Sequence, residues 1–195
     1  MSVVHFITHP DVLIDPAVPV PDWPLSPRGR ARMQAALAAP WVSGIRALHC
    51  SIERKAVDGV QILAGHLGIG FTAHVDLGEN DRSATGFLPR DEFEATADLF
   101  FAHPTQSIRG WERAVDAQAR IVAAVDRVLA APASGDVAIV AHGGVGALLL
   151  SALLGEAISR ARDQPPTAAG GFRFAFDGAT RRVVHGWQDI QDVLF

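Results

Sequence analysis

The chain has 195 residues, of which 49% are hydrophobic and 19% charged, with a formal net charge of -4 and a pI near 6.0. Those values exclude a disordered polypeptide and a basic protein built to meet nucleic-acid phosphates, and they give enough chain for a substantial core in one domain over residues 1–195. A lone cysteine, Cys50, excludes an intramolecular disulfide framework and a multi-cysteine metal site.

The first predicted element is a strand over Val3 to Thr8, short, rich in β-branched residues and followed by His9. Prolines 10, 16, 19, 21 and 24 then rule out a helix and predict a stiff surface loop. Ser26-Pro27 supplies a helix cap with proline at the first helical position, opening a helix to about Leu37 with Arg28, Arg30 and Arg32 on exposed faces. Gly44 to Cys50 reads as a second strand ending at Ser51, followed directly by a helix from Arg54 to Leu67. Phe71 to Leu77 is a short extended segment, and Gly78 to Pro89 is polar and irregular.

Asp91 to Phe101 has helical apolar spacing and is broken by His103-Pro104. Trp111 to Leu129 carries a second helical stripe, and Ala131 to Gly135 turns the chain into the apolar strand Val137 to Ala141. That strand runs into His142-Gly143-Gly144-Val145-Gly146 and a buried helix over Val145 to Leu154, too short to span a bilayer. Ala168 to Phe176 and Arg181 to Trp187 form a closing hairpin through Asp177-Gly178. The order β–α–β–α–β–α–α–β–α–β–β predicts a three-layer α/β/α sandwich with a mostly parallel central sheet. In such sheets ligands bind beyond the carboxyl ends of the strands, so His9 and His142, each just past a buried strand, are expected to meet in one pocket. No basic segment followed by a long apolar run opens the chain, and a cytoplasmic location is expected.

The strand-end residues resemble the histidine phosphatase superfamily, which includes the cofactor-dependent phosphoglycerate mutases. The family opens with R-H-G, which here reads Thr8-His9-Pro10. Its loop and helix-opening element matches Pro24-Leu25-Ser26-Pro27-Arg28-Gly29, and its S-[SP]-L-x-R-A matches Ser51-Ile52-Glu53-Arg54-Lys55-Ala56. Leu77-Gly78-Glu79 fits L-x-E, Trp111-Glu112-Arg113 loosely echoes G-E-S, and Ala141-His142-Gly143-Gly144 fits S-H-G-G. The ordered set covers nearly the whole chain.

The resemblance implies phosphoryl transfer to His9 as nucleophile, with Glu79 as general acid and later base, and with His142, Lys55 and the Gly143 N–H as phosphate donors. It implies no metal or other cofactor, and a small phosphorylated substrate or phosphoprotein as partner. Neither nucleic acid nor a membrane is expected to take part, and the oligomeric state is not legible. Thr8 offers phosphate one hydroxyl where the family has an arginine fork, and Lys55 keeps the charge but not the fork. Arg82 is the first candidate to compensate and Arg109 the second.

Other readings stand beside this one. Histidines 5, 49, 66, 74, 103 and 185 have no partner legible in the sequence, and Asp81 is an alternative to Glu79. Cys50 reads as a buried structural thiol rather than a nucleophile. A dinucleotide loop at His142 lacks G-x-G-x-x-G, and a metal hydrolase lacks H-x-H or H-E-x-x-H. Three functions follow: a metal-independent phosphatase; an impaired relative that binds phosphorylated or anionic ligands as a regulatory module; and a mutase, for which the chain lacks an insertion to shield a phosphoenzyme.

Overall fold

The computed structural model describes residues 2–130, 134–166 and 170–192. Its elements follow the expected order: β1 (Val3–Thr8), α1 (Pro27–Ala36), β2 (Ile45–Ser51), α2 (Arg54–Leu67), β3 (Thr72–His74), α3 (Arg90–Ala102), α4 (Ala114–Ala130), β4 (Asp136–Ala141), α5 (Gly143–Leu154), β5 (Phe172–Asp177) and β6 (Val183–Asp189). The sheet order is β3-β2-β4-β1-β5-β6. β1, β2, β3 and β4 pair in parallel, whereas β5 is antiparallel to both β1 and β6.

The alternation of side chains along the strands builds two cores. Val4 and Phe6 of β1, with Val137 and Ile139 of β4, pack against Ile121, Val125, Val145 and Leu149 of α4 and α5. Ile7, Ala138 and Val140 face the other way, against Met33 of α1 and Val60 and Leu63 of α2. Burial on both faces is why the central strands read as unbroken apolar runs. Close approach of α5 to the sheet requires a glycine: a Cβ on Gly146 would lie 2.8 Å from Trp187 and 2.9 Å from Phe6. A third apolar cluster joins Phe100 and Phe101 of α3 to Trp111, Ala114, Ala147 and Leu148, and closes one side of the site.

Some local expectations are corrected. Phe71 to Leu77 is only partly strand: β3 ends at His74 and one helical turn follows over Val75–Leu77. Arg30 and Arg32 are half-buried rather than exposed, because each is drawn into an ion pair, Arg30 with Asp58 at 2.6 Å and Arg32 with Asp189 at 2.8 Å. The start of the expected hairpin at Ala168 and the first part of the turn after Ala130 lie outside the described residues. Among the described residues, no helix is long and apolar enough to cross a membrane.

Candidate active site at the carboxyl ends of the strands

Parallel pairing of β1 with β4 places Thr8 opposite Ala141, and the His9 N–H continues the ladder to the Ala141 carbonyl at 3.1 Å. The residue after each strand is a histidine, so the two rings meet edge to face with centroids 5.3 Å apart. The expectation that His9 and His142 share one site therefore follows from strand register alone.

The segment beyond His9 is anchored by side chains of the helix opening. Ser26 accepts from the Gly29 N–H at 2.9 Å, capping α1, and donates to Asp11 at 2.6 Å. Buried Asp58 of α2 accepts from the Leu25 N–H at 3.0 Å. The Gly171 N–H bonds the His9 carbonyl at 3.2 Å from the opposite side. A Cβ at Gly170, which has φ of 73°, would lie 2.2 Å from that carbonyl oxygen.

His9 Nδ1 lies 2.9 Å from the Pro10 carbonyl, which only accepts, so Nδ1 carries the proton and Nε2 the lone pair. Burial, with the neighbouring His142 and Lys55, pulls the His9 pKa down to about 3. The ring is therefore neutral at physiological pH and holds an in-plane lone pair, the requirement for a nitrogen nucleophile. His142 is fully buried and also titrates below its ordinary value, because desolvation outweighs the carboxylates of Glu53 and Glu79. Its Nε2 lies 3.2 Å from Glu53 Oε1 but off the hydrogen-bond line, and neither ring nitrogen has a bonded partner among the described residues.

Glu79 caps α5. Its Oε2 accepts from the Gly144 N–H at 3.0 Å and its Oε1 from the Val145 N–H at 2.9 Å. A Cβ on Gly144 would stand 2.7 Å from Oε1, so the second glycine of the run is a steric requirement of this cap. Burial alone would raise the Glu79 carboxyl, but Arg82, His142 and the Gly144 N–H outweigh it and hold the group below the usual range. In this state Glu79 is ionised and has no proton to give. Asp81 is largely exposed and bonds the Ser83 N–H of its own turn at 2.8 Å, away from this cap.

A cavity of about 790 Å³ opens over these groups, lined by His9, Glu79, Arg82, Gly143, Trp111 and Gln164 among others. Arg82 reaches it from the polar loop, its guanidinium over the rings of Phe93 at 5.1 Å and Trp111 at 5.6 Å. Its nearest carboxylate oxygen is on Glu79 at 3.9 Å, so its donors are not closely engaged. Phe100, Phe101 and Trp111 are buried and also line this cavity, so these aromatics serve the core and the cavity wall at once.

Three expected residues stand apart from the cavity. Thr8 is buried, and its hydroxyl closes the β1–β5 seam, accepting from the Phe172 N–H at 3.0 Å and bonding the Phe172 carbonyl at 3.3 Å. Its side chain is thereby spent on backbone that arrives from the far end of the sequence. Lys55 is buried, with Nζ 2.6 Å from Glu53 and 2.7 Å from the Val20 carbonyl. Arg109 sits in a left-handed turn with φ of 52° and contacts Glu92 at 3.4 Å on the surface. Cys50 is buried and its thiol is pushed up to about 12 by desolvation, which removes it as a nucleophile.

Sequence reasoning missed Glu53 and Gln164. Glu53 joins three elements: it pairs with Lys55, abuts His142, and accepts the Glu79 N–H at 2.9 Å. The one signal for it was an acidic residue in place of the apolar position of the S-x-L-x-R-A element. Gln164 lies against Gly143, where a Cβ would be 3.1 Å from its Nε2.

Comparison with known proteins agrees with this architecture. The structure is similar to a mycobacterial glucosyl-3-phosphoglycerate phosphatase in complex with inorganic phosphate (TM-score 0.74, 21% identity, 98% of this chain and 100% of that chain). It is also similar to YhfR of Bacillus stearothermophilus (0.74, 20%, 95% and 95%) and to an Escherichia coli protein described as an alpha-ribazole-5'-P phosphatase (0.75, 15%, 100% and 100%). At these identities the likeness shows the fold. No curated protein matches the chain. The model of the histidine phosphatase superfamily (branch 1) matches residues 17–189, beginning after Thr8-His9-Pro10. With most of its length matched, the chain belongs to the histidine phosphatase superfamily, branch 1.

Proposed function

We propose that the protein is a metal-independent phosphatase that hydrolyses a phosphomonoester of a small metabolite or phosphoprotein through a phosphohistidine on His9. The observation that carries this reading is the state of His9: neutral, its Nδ1 proton held by the Pro10 carbonyl, its ring facing the 790 Å³ cavity beside His142.

In the first step His9 Nε2 attacks phosphorus in line, forming the N–P bond as the ester P–O bond breaks. His142 and Arg82 donate to the non-bridging oxygens, and positioning with charge stabilisation carries most of the rate. The leaving oxygen needs a proton. Glu79 is ionised in the free site, but a phosphate dianion beside it raises its pKa, so substrate entry loads the acid. Glu79 then takes a proton from the water that attacks the phosphohistidine, releasing phosphate and restoring neutral His9. The Pro10 contact keeps His9 in the same tautomer throughout.

A second reading, an impaired relative that binds phosphorylated or anionic ligands as a regulatory module, has its own observation in favour. The hydroxyl of Thr8 and the charge of Lys55 are both already engaged within the protein. The two separate in one assay, hydrolysis of p-nitrophenyl phosphate and a panel of sugar phosphates and phosphopeptides in EDTA, with His9→Ala as comparison. Saturable turnover that survives EDTA and disappears in the variant supports the phosphatase. Protection against heat by phosphate without turnover supports the binding module, and full activity in His9→Ala refutes the histidine mechanism.

A further inference from the structure

Glu53 is a buried carboxylate in contact with His142 and the Glu79 N–H that the proposed chemistry does not use. It occupies the residue before α2, yet its side chain does not cap that helix. Instead its carboxylate turns inward and collects the donors of the site. Oε2 takes Lys55 Nζ at 2.6 Å; Oε1 takes the Glu79 N–H at 2.9 Å and lies 3.2 Å from His142 Nε2. The side chain is 11% exposed and those of Lys55 and His142 are 4% and 1% exposed, so solvent screens these contacts little. A cation, a backbone N–H and an imidazole converging on two oxygens is an arrangement that would hold an anionic ligand, and here it holds a residue of the chain.

A second cavity of about 560 Å³ abuts this residue, lined by Val20, Pro21, Ile52, Val75 and Glu53 itself. It shares Glu79, Asn80 and Arg82 with the cavity over His9. Glu53 therefore has space to turn into when its place is contested.

We propose that Glu53 is an internal competitor for the anion subsite, a carboxylate that a phosphoryl group must displace from Lys55 and His142, so that it sets the affinity of the site and disfavours doubly charged phosphate. The proposal rests on the phosphate reading of the cavity. It predicts weak binding of free phosphate by the native chain, and a preference for ligands whose remainder contributes binding of its own. It also makes Lys55 a latent donor, silent while Glu53 holds it and available once that carboxylate leaves. Glu53 is in this view a specificity-determining residue and not a catalytic one.

The test is calorimetric titration of inorganic phosphate into the intact wild-type protein, Glu53→Gln and Glu53→Leu at pH 8, where phosphate is a dianion. Both variants are expected to bind at least about tenfold more tightly, since Lys55 is then released to the ligand. The gain is expected to vanish in the double variants that add Lys55→Met, which identifies the released lysine as its source. Equal or weaker binding in both single variants overturns the proposal. So does a gain that survives Lys55→Met. Loss of cooperative unfolding in both single variants also overturns it, by making Glu53 a structural counter-ion. Failure here is distinct from failure of the phosphatase reading: turnover dependent on His9 with no gain removes only the role of Glu53, whereas a gain in binding with no turnover in the wild type removes only the phosphatase.

Discussion

Two corners of the site are built on opposite principles. At the ends of β1 and β4 the two histidines have ring nitrogens in reserve: Nε2 of His9 carries the lone pair, and both nitrogens of His142 lack bonded partners among the described residues. At the start of α2, where Glu53 lies 3.2 Å from His142, nothing is in reserve. Lys55, Glu53 and the Glu79 N–H satisfy one another, and Glu79 spends its oxygens on the α5 N-terminus. The difference separates two requirements of phosphoryl chemistry that usually come together. On the proposed reading, desolvation and one backbone contact prepare His9 as the nucleophile, while the charge that would receive the phosphoryl group is largely cancelled within the protein. Arg82, stacked on Phe93 and Trp111, keeps its nearest carboxylate oxygen, on Glu79, at 3.9 Å and so holds its donors toward the cavity.

The largest effect should come from the reserved corner. His9→Ala is expected to lower kcat for p-nitrophenyl phosphate by about a thousandfold or more, because the covalent route is lost; a variant within threefold of wild type breaks the comparison at its stronger side. Next is Thr8→Arg, which would restore the family's arginine. The new side chain must leave the buried seam with Phe172, so it is expected to destabilise the fold by about 2–3 kcal/mol. Urea unfolding reads this directly, and a variant as stable as wild type with faster turnover would show that position 8 still faces the ligand.

Gly144→Ala sharpens the comparison at the acid. A Cβ 2.7 Å from Glu79 Oε1 drives the carboxylate off its cap. The expected loss is about 1 kcal/mol of stability, with a fall in kcat larger than any change in KM. Arg82→Met should do the reverse, raising KM about tenfold with a smaller change in kcat, since the cation acts mainly on bound anion. Steady-state kinetics on the two variants side by side decides whether the roles are separate.

A further effect, read without any substitution at the site, is on stability against pH. His5 and His9 are held neutral, with pKa values lowered to about 4 and about 3 from 6.5, first by burial. The folded state disfavours their protonation, so their contribution to stability is complete above 6.5 and is lost as pH falls toward the folded values. Glu53 is lowered to about 2 from 4.5 and adds its own loss only below 4.5. The urea midpoint should therefore fall already between pH 7 and about pH 5, and less steeply in His5→Leu. A flat midpoint over that range would mean that these rings are hydrated.

What was legible in the sequence is what backbone register decides. Apolar runs buried on both faces marked β1 and β4, and parallel pairing then put His9 beside His142 without knowledge of any side-chain contact. The glycines of Gly143-Gly144-Val145-Gly146 were visible, but their reasons were not, since Glu79, Phe6 and Trp187 come from three distant segments. Thr8 was expected at the ligand from its place in the family's R-H-G motif, and the strand that claims its hydroxyl, β5, comes from the far end of the sequence. Lys55 was placed correctly at the start of α2, yet its Nζ is held by a carboxylate two residues earlier that turns inward. Arg109 stands outside the cavity lining for a local reason, a left-handed turn from which it contacts Glu92.

The measurement that tests the central claim most directly is mass spectrometry of the wild-type chain quenched in alkali during turnover of p-nitrophenyl phosphate, with peptide mapping of any added phosphoryl group. The account predicts one phosphoryl group on His9 at Nε2, formed and discharged at rates that support kcat. Turnover with the phosphoryl group on another residue, or with none on the chain at any time, would contradict it.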